Sequence, residues 1–69
     1  MRLSARNQLS GTVSEIEIGA VMSIVKVELP GGQQVTASVT KHAVEDLGLR
    51  VGSPVTAMIK STEVMLGVE

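Results

Sequence analysis

The sequence predicts a small all-β domain with one short helix, a five-stranded Greek-key β-barrel in the order β-β-β-α-β-β. Three observations predict it. Apolar and polar residues alternate with a period of two through most of the chain. Clusters of glycine and proline separate these alternating runs. A single segment, directly after Thr40, places its apolar residues at helical spacing instead.

The first strand is predicted in LSGTVSEIEIG. Apolar residues and glycine alternate with polar residues from Leu9 to Val13. The alternation resumes out of phase at Ile16, which predicts a slip or a β-bulge between Val13 and Ile16. Gly19 then marks the turn that ends this strand.

A β-hairpin is predicted from the second and third strands. In VMSIVKVELP, Val25, Val27 and Leu29 lie on one face of a strand, with charged residues between them on the other. Pro-Gly-Gly at 30–32 is a strong hairpin-turn signal. The β-branched segment QVTASV then returns on the second strand as the third.

The segment KHAVEDLGL predicts a helix of about two turns. Ala43, Val44 and Leu47 share one helical face. Thr40 is a candidate N-cap, and Gly48 stands at the C′ position where glycine commonly ends helices.

Two further strands complete the predicted barrel. PVTAMIK alternates as a fourth strand after the turn VGSP, and STEVMLGVE supplies a short fifth strand. A five-stranded Greek-key barrel with a helix between its third and fourth strands is the oligonucleotide/oligosaccharide-binding (OB) arrangement.

Length and composition predict one domain, residues 1–69, that is stabilised by assembly. A chain this short buries only about 60% of its unfolded surface. It has no cysteine for a disulfide, and its single histidine cannot build a zinc site. Hydrophobic residues make up 43% of the chain and charged residues 19%, which is more apolar surface than one small core uses. Three methionines, Met22, Met58 and Met65, are expected to fill that core.

Composition also disfavours several classes of function. The absence of aromatic residues and a net charge of −1 argue against nucleic-acid binding. No apolar run approaches the roughly 20 residues of a membrane span, and none resembles a signal peptide. We therefore expect a cytoplasmic protein. Neither the serines nor the carboxylates form an arrangement typical of catalysis, so we expect a protein that is not an enzyme.

Polar residues at the ends of the predicted strands could bind an oxyanion. Arginine donates through a planar fork, lysine supplies a point charge, and hydroxyls donate directionally. A helix N-terminus adds unpaired N–H groups. Solvated surface charge and simple helix capping are the ordinary alternatives at these positions. The candidates are Ser4 and Arg6, then Lys60 and Ser61, and finally Ser38 and Thr40.

Three segments, in this order and spacing, resemble the molbindins: SARNQLSGTV, GAVMSIVKVEL and TASVTKHAVEDLGLRVGSPVTAMIKSTEVMLG. These small cytoplasmic proteins, also called molybdenum-pterin-binding (Mop) proteins, bind molybdate and tungstate. The resemblance covers nearly the whole chain. It extends to the C-terminal domains of molybdate-responsive transcription regulators and of molybdate-transporter ATPases.

The resemblance implies an OB-type barrel assembled as a homohexamer, a trimer of dimers with strands exchanged between subunits. Oxyanions would be held at subunit interfaces, with molybdate or tungstate as the ligand, no organic cofactor and no direct ligands to a metal cation. Thr40 and the start of its helix would serve a second site nearer a symmetry axis. The main site would use Ser4, Arg6, Lys60 and Ser61, completed by main-chain groups of Ala20, Val21 and Met22.

The implied role is storage and homeostasis of the anion. The sequence leaves two alternatives open. One is a molybdate-sensing module whose occupancy is read by a partner protein. The other is a nucleic-acid-binding barrel of the same architecture, which the missing aromatic residues disfavour.

Overall fold

A computed structural model describes all 69 residues and contains four β-strands, one α-helix and one 3-10 turn. The strands form a single antiparallel sheet in the order β3-β2-β1-β4. The sheet curls so that β3 and β4 line one cavity, which confirms the predicted all-β, OB-like class with a single helix. The elements are β1 (Asn7–Ile18), β2 (Met22–Glu28), β3 (Gln34–Thr40), α1 (Lys41–Leu47), β4 (Pro54–Ile59) and the 3-10 turn (Ser61–Glu63).

β1 holds the sheet together because it pairs with two neighbours in succession. Residues 7–12 pair with β4, and residues 12–18 pair with β2. The register shifts at Ser14, which confirms the predicted bulge. Ser14 Oγ donates to the Lys26 carbonyl at 3.2 Å. Since a bulge increases the local twist, it helps to curl the sheet.

Gly11 allows β1 and the end of β2 to approach closely. A Cβ atom at this position would lie 2.6 Å from the Glu28 carbonyl oxygen and 2.7 Å from Val27 Cγ1. Both distances are too short for a real side chain, so any larger residue would displace β2. The glycine is therefore required by the packing of the two strands.

The hairpin turn and both helix ends follow the predicted signals. Gly31 and Gly32 have φ angles of 97° and 91°, which glycine adopts at little cost. Thr40 Oγ1 accepts a hydrogen bond from the Ala43 amide at 3.0 Å and caps α1. Gly48 ends the helix with a φ angle of 62°. α1 has seven residues, and the structure contains no helix long and apolar enough to cross a membrane.

The core is small and consists of valines. Val13, Val25, Val27 and Val44 are buried, the last of them contributed by α1. Ser23 is the one other buried residue, and its hydroxyl has no hydrogen-bond partner. Only 5 of the 69 residues are buried, so the single chain buries too little apolar surface to be strongly stable by itself.

The expectation that the methionines fill the core is wrong. Met22, Met58 and Met65 are 46%, 48% and 91% exposed. Met22 and Met58 lie on outward faces of their strands, where alternate side chains of the pleat must point. Met65 lies beyond the last regular element of the chain.

The single chain does not form the predicted fifth strand, because its sheet has four strands. STEVMLGVE forms the 3-10 turn and then the C-terminal segment, which we define as residues 64–69. Met65, Leu66 and Val68 in this segment are 91%, 94% and 100% exposed. A strand needs a neighbour for its backbone hydrogen bonds, and in the single chain this segment pairs with neither β3 nor β4.

Candidate functional site

The N-terminal stretch of the chain meets the end of β4. Asn7 pairs with Ile59 at the start of the β1–β4 ladder, and Asn7 Nδ2 donates to the Ile59 carbonyl at 3.1 Å. Because the two strands are antiparallel, Arg6 and Lys60 leave the sheet side by side, immediately beyond this pair. The structure therefore brings four predicted donors to one end of the sheet: Ser4, Arg6, Lys60 and Ser61.

This end of the sheet carries two cations that form no ion pair within the chain. Arg6 and Lys60 are exposed, while Lys26 pairs with Glu15 on the β1–β2 face and His42 contacts Asp46 on α1. The hydroxyls of Ser4 and Ser61 take no part in the side-chain hydrogen bonds of the chain. Two cations beside free hydroxyl donors form a donor set suited to a dianion.

A second group of predicted residues surrounds an open cavity of about 610 Å³ at the start of α1. Ala20, Val21 and Thr40 line this cavity. The Lys41 amide donates to the Val21 carbonyl at 2.7 Å and joins the β1–β2 turn to the helix. Thr40 Oγ1 accepts from the Ala43 amide, so its hydroxyl hydrogen remains free to donate.

Met22 and Ser38 lie near this cavity but do not line it. Met22 pairs with Thr40 across β2 and β3. Ser38 precedes Thr40 by two residues on the same outward face of β3, and it borders a different, apolar cavity between β3 and β4. Ser38 therefore shares a cavity lining with Met58 and Ile59, the residues that precede Lys60, and not with Thr40.

Within one chain, the two groups lie at opposite ends of β1. The strand begins directly after Arg6 and ends before residues 20–22. The path along its 12 residues is roughly 36 Å long at about 3.3 Å per residue. One tetrahedral anion cannot contact both ends. If residues 20–22 complete a site with Arg6, as the resemblance implies, they must come from a second chain.

The structure adds residues that no pattern in the sequence assigned to a site. Lys41, His42 and Glu45 also line the cavity at the start of α1. Their signal in the sequence was weak, because charged residues in the first turns of a short helix are typical of solvated surface. The structure contains no group of three or more histidine or carboxylate side chains that could hold a metal cation.

Comparison with known proteins finds relatives along nearly the whole chain. Residues 3–66 match the TOBE domain family. A probable molybdenum-pterin-binding protein of Haemophilus influenzae is 48% identical over 100% of both chains. The chain belongs to the molybdenum-pterin-binding (Mop) family. The resemblance seen in the sequence is thereby confirmed.

Other relatives of this Mop-family chain are longer than it is. The molybdenum transport protein ModE of Herbaspirillum seropedicae is 52% identical over 97% of the chain, which spans 25% of that protein. The cytoplasmic molybdate-binding protein ModG, in its molybdate-bound form, matches with a TM-score of 0.96 and 52% identity. The match covers 100% of this chain and 49% of ModG. These names describe binding and transport rather than catalysis.

Proposed function

We propose that this Mop-family protein binds molybdate or tungstate in the cytoplasm, where it stores the anion and buffers its concentration. The meeting of Arg6 and Lys60 at one end of the sheet carries the proposal. Both cations are exposed and unpaired, and both adjoin serine hydroxyls. Support comes from ModG, a cytoplasmic molybdate-binding protein that is 52% identical to this chain.

These hydrogen-bond donors suit a ligand that is bound without the formation of a covalent bond. Molybdate is a tetrahedral dianion, so Arg6 would donate through its guanidinium fork and Lys60 would supply a point charge. Sulfate has the same charge and shape but is smaller, so the size of the site would discriminate against it. Tungstate is nearly as large as molybdate and would bind with a similar affinity. Hydrogen phosphate carries a proton and should bind more weakly wherever the site offers that proton no hydrogen-bond acceptor.

The main site would lie between subunits. One chain supplies the charged end of the sheet, and main-chain groups of residues 20–22 reach that end only from another chain, because β1 separates them. A second site, nearer a symmetry axis, would use the Thr40 hydroxyl and the cavity at the start of α1. Each site would therefore be complete only in the assembly.

The assembly would be a homohexamer, a trimer of dimers built by strand exchange. A cavity of about 500 Å³ opens between β3 and β4, the two unpaired edges of the sheet, and 11 of its 14 lining residues are hydrophobic. Met65, Leu66 and Val68 of the C-terminal segment are apolar and almost fully exposed. Inserted between β3 and β4 of a second copy, the segment would supply the missing fifth strand and cover both edges.

Calorimetric titration with molybdate, tungstate and sulfate tests the function. We expect molybdate and tungstate to bind alike and sulfate to bind more weakly. Arg6→Ala and Lys60→Ala should each weaken binding about 10- to 150-fold, since a hydrogen bond to a charged group contributes about 1.5–3 kcal/mol. Arg50→Ala is the matched control, because it removes the same charge at an exposed position outside both groups.

Two results would contradict this proposal. The function is wrong if the wild-type protein takes up no molybdate or binds sulfate equally tightly. The assignment of Arg6 or Lys60 is wrong if its alanine variant keeps the wild-type assembly and titrates like the wild type.

The match to a quarter of ModE favours one alternative role, a module whose molybdate-bound state is read by a partner protein. A pull-down with and without molybdate separates the two roles. A partner retained only with molybdate supports the sensing module, and retention of none supports storage.

A further inference from the structure

Two side-chain amides bind the backbone around the stretch that carries Arg6. Side chains make five hydrogen bonds in the structure, and Asn7 and Gln8 donate two of them. Both residues directly follow Arg6 in the sequence. Few side chains of this protein form hydrogen bonds, so finding two such bonds next to Arg6 indicates that the backbone there is held in a defined position.

Asn7 ties the start of β1 to the end of β4. Its Nδ2 donates to the Ile59 carbonyl at 3.1 Å, and the side chain is partly buried. The same two residues are partners in the β1–β4 ladder, so the amide adds a side-chain link to a backbone pair. Arg6 and Lys60 are the next residues outward, and the link therefore holds the backbones of the two cations together.

Gln8 fixes the bend that precedes β1. Its Nε2 donates to the Ala5 carbonyl at 2.8 Å, three residues back along the chain. Ala5 lies between Ser4 and Arg6, so this bond limits the positions that both donors can take. The bond is exposed to solvent, and we expect it to contribute little to global stability.

We infer that Asn7 and Gln8 are positioning residues that hold Ser4 and Arg6 in place for the oxyanion. This inference rests on the proposed function and adds to it. A donor stretch that is free to move must lose its conformational freedom when the anion binds, and that loss weakens affinity. With both amides in place, the stretch is ordered before the anion arrives.

Titration calorimetry with molybdate on Asn7→Ala and Gln8→Ala tests the inference. Each variant should bind about 3- to 10-fold more weakly than the wild type, which is the scale expected for ordering a side chain or loop on binding. Gln8→Ala should keep the wild-type melting temperature and sedimentation, because its hydrogen bond is exposed. Gln33→Ala removes an exposed glutamine that makes no side-chain hydrogen bond, and it should bind like the wild type.

A double-mutant cycle with Arg6→Ala separates positioning from a general structural effect. If the amides act through Arg6, Gln8→Ala should weaken binding less than 2-fold when Arg6 is already alanine. The inference is overturned if the full loss persists in that background, or if Asn7→Ala and Gln8→Ala both bind like the wild type. Should Asn7→Ala fail to fold, Gln8→Ala decides the question.

The outcomes also distinguish this inference from the proposed function. No molybdate binding by the wild-type protein rejects both. Wild-type binding that Arg6→Ala weakens, but that Asn7→Ala and Gln8→Ala leave unchanged, rejects only the positioning role.

Discussion

At the scale of single residues, the Thr40 hydroxyl would combine two tasks. Its oxygen accepts the Ala43 amide as the N-cap of α1, and its hydrogen is free for a ligand in the adjoining cavity. Thr40→Val keeps the shape of the side chain and removes the hydroxyl. We expect the fold to lose about 1 kcal/mol through the missing cap. Binding at the second kind of site should weaken while the main site is retained.

Denaturant unfolding and calorimetric stoichiometry measure the two effects separately. Thr12→Val is the matched control, because Thr12 is an exposed threonine of β1 that makes no side-chain hydrogen bond and lies outside both groups. Arg6→Ala should show the complementary loss, at the main site. If Thr40→Val lowers stability and keeps every site, Thr40 is only a cap and the second site lies elsewhere.

At the scale of elements, the C-terminal segment is apolar but lies outside the core of its own chain. Leu66 is 94% exposed there, so Leu66→Asp should leave the folded single chain intact. In an exchanged dimer, the same change would place a carboxylate in the apolar cavity between β3 and β4. We expect sedimentation velocity to show smaller species than the wild type, and circular dichroism to show an unchanged β-sheet signal.

Gln33→Asp introduces the same charge at the exposed hairpin tip and should sediment like the wild type. If Leu66→Asp assembles like the wild type, the C-terminal segment is not exchanged into the cavity. In that case the two edge strands of the sheet must be covered in another way.

At the scale of the whole molecule, assembly and ligand binding should be linked. The wild-type protein should sediment near six times 7.2 kDa. Molybdate should raise the melting temperature by mass action, with about 2.7 kcal/mol per site when the free anion is at 100 times Kd. Arg6→Ala should show a smaller rise, and sulfate at the same concentration is the control. A well-folded monomer at micromolar concentration would contradict the interface sites along with the hexamer.

The sequence by itself determined the elements whose signals are local. Period-two alternation located β1 and β2, because a pleated strand exposes alternate residues to the core. The bulge in β1 was visible as a break in that alternation. Thr40 and Gly48 bounded α1, since capping depends only on residues within one turn. Membership of the Mop family could also be predicted from the sequence, because the motifs of the family are short continuous segments of the chain.

Only the tertiary structure decided what depends on pairing between distant residues. STEVMLGVE has the composition of a strand, but a strand forms only when it pairs with a neighbour, and within the single chain this segment pairs with no strand. Antiparallel pairing of β1 with β4 placed Arg6 next to Lys60, and the length of β1 set residues 20–22 apart from both. The local sequence does not show which strand ends meet, because the distance between two strand ends is set by pairing and register in the folded sheet.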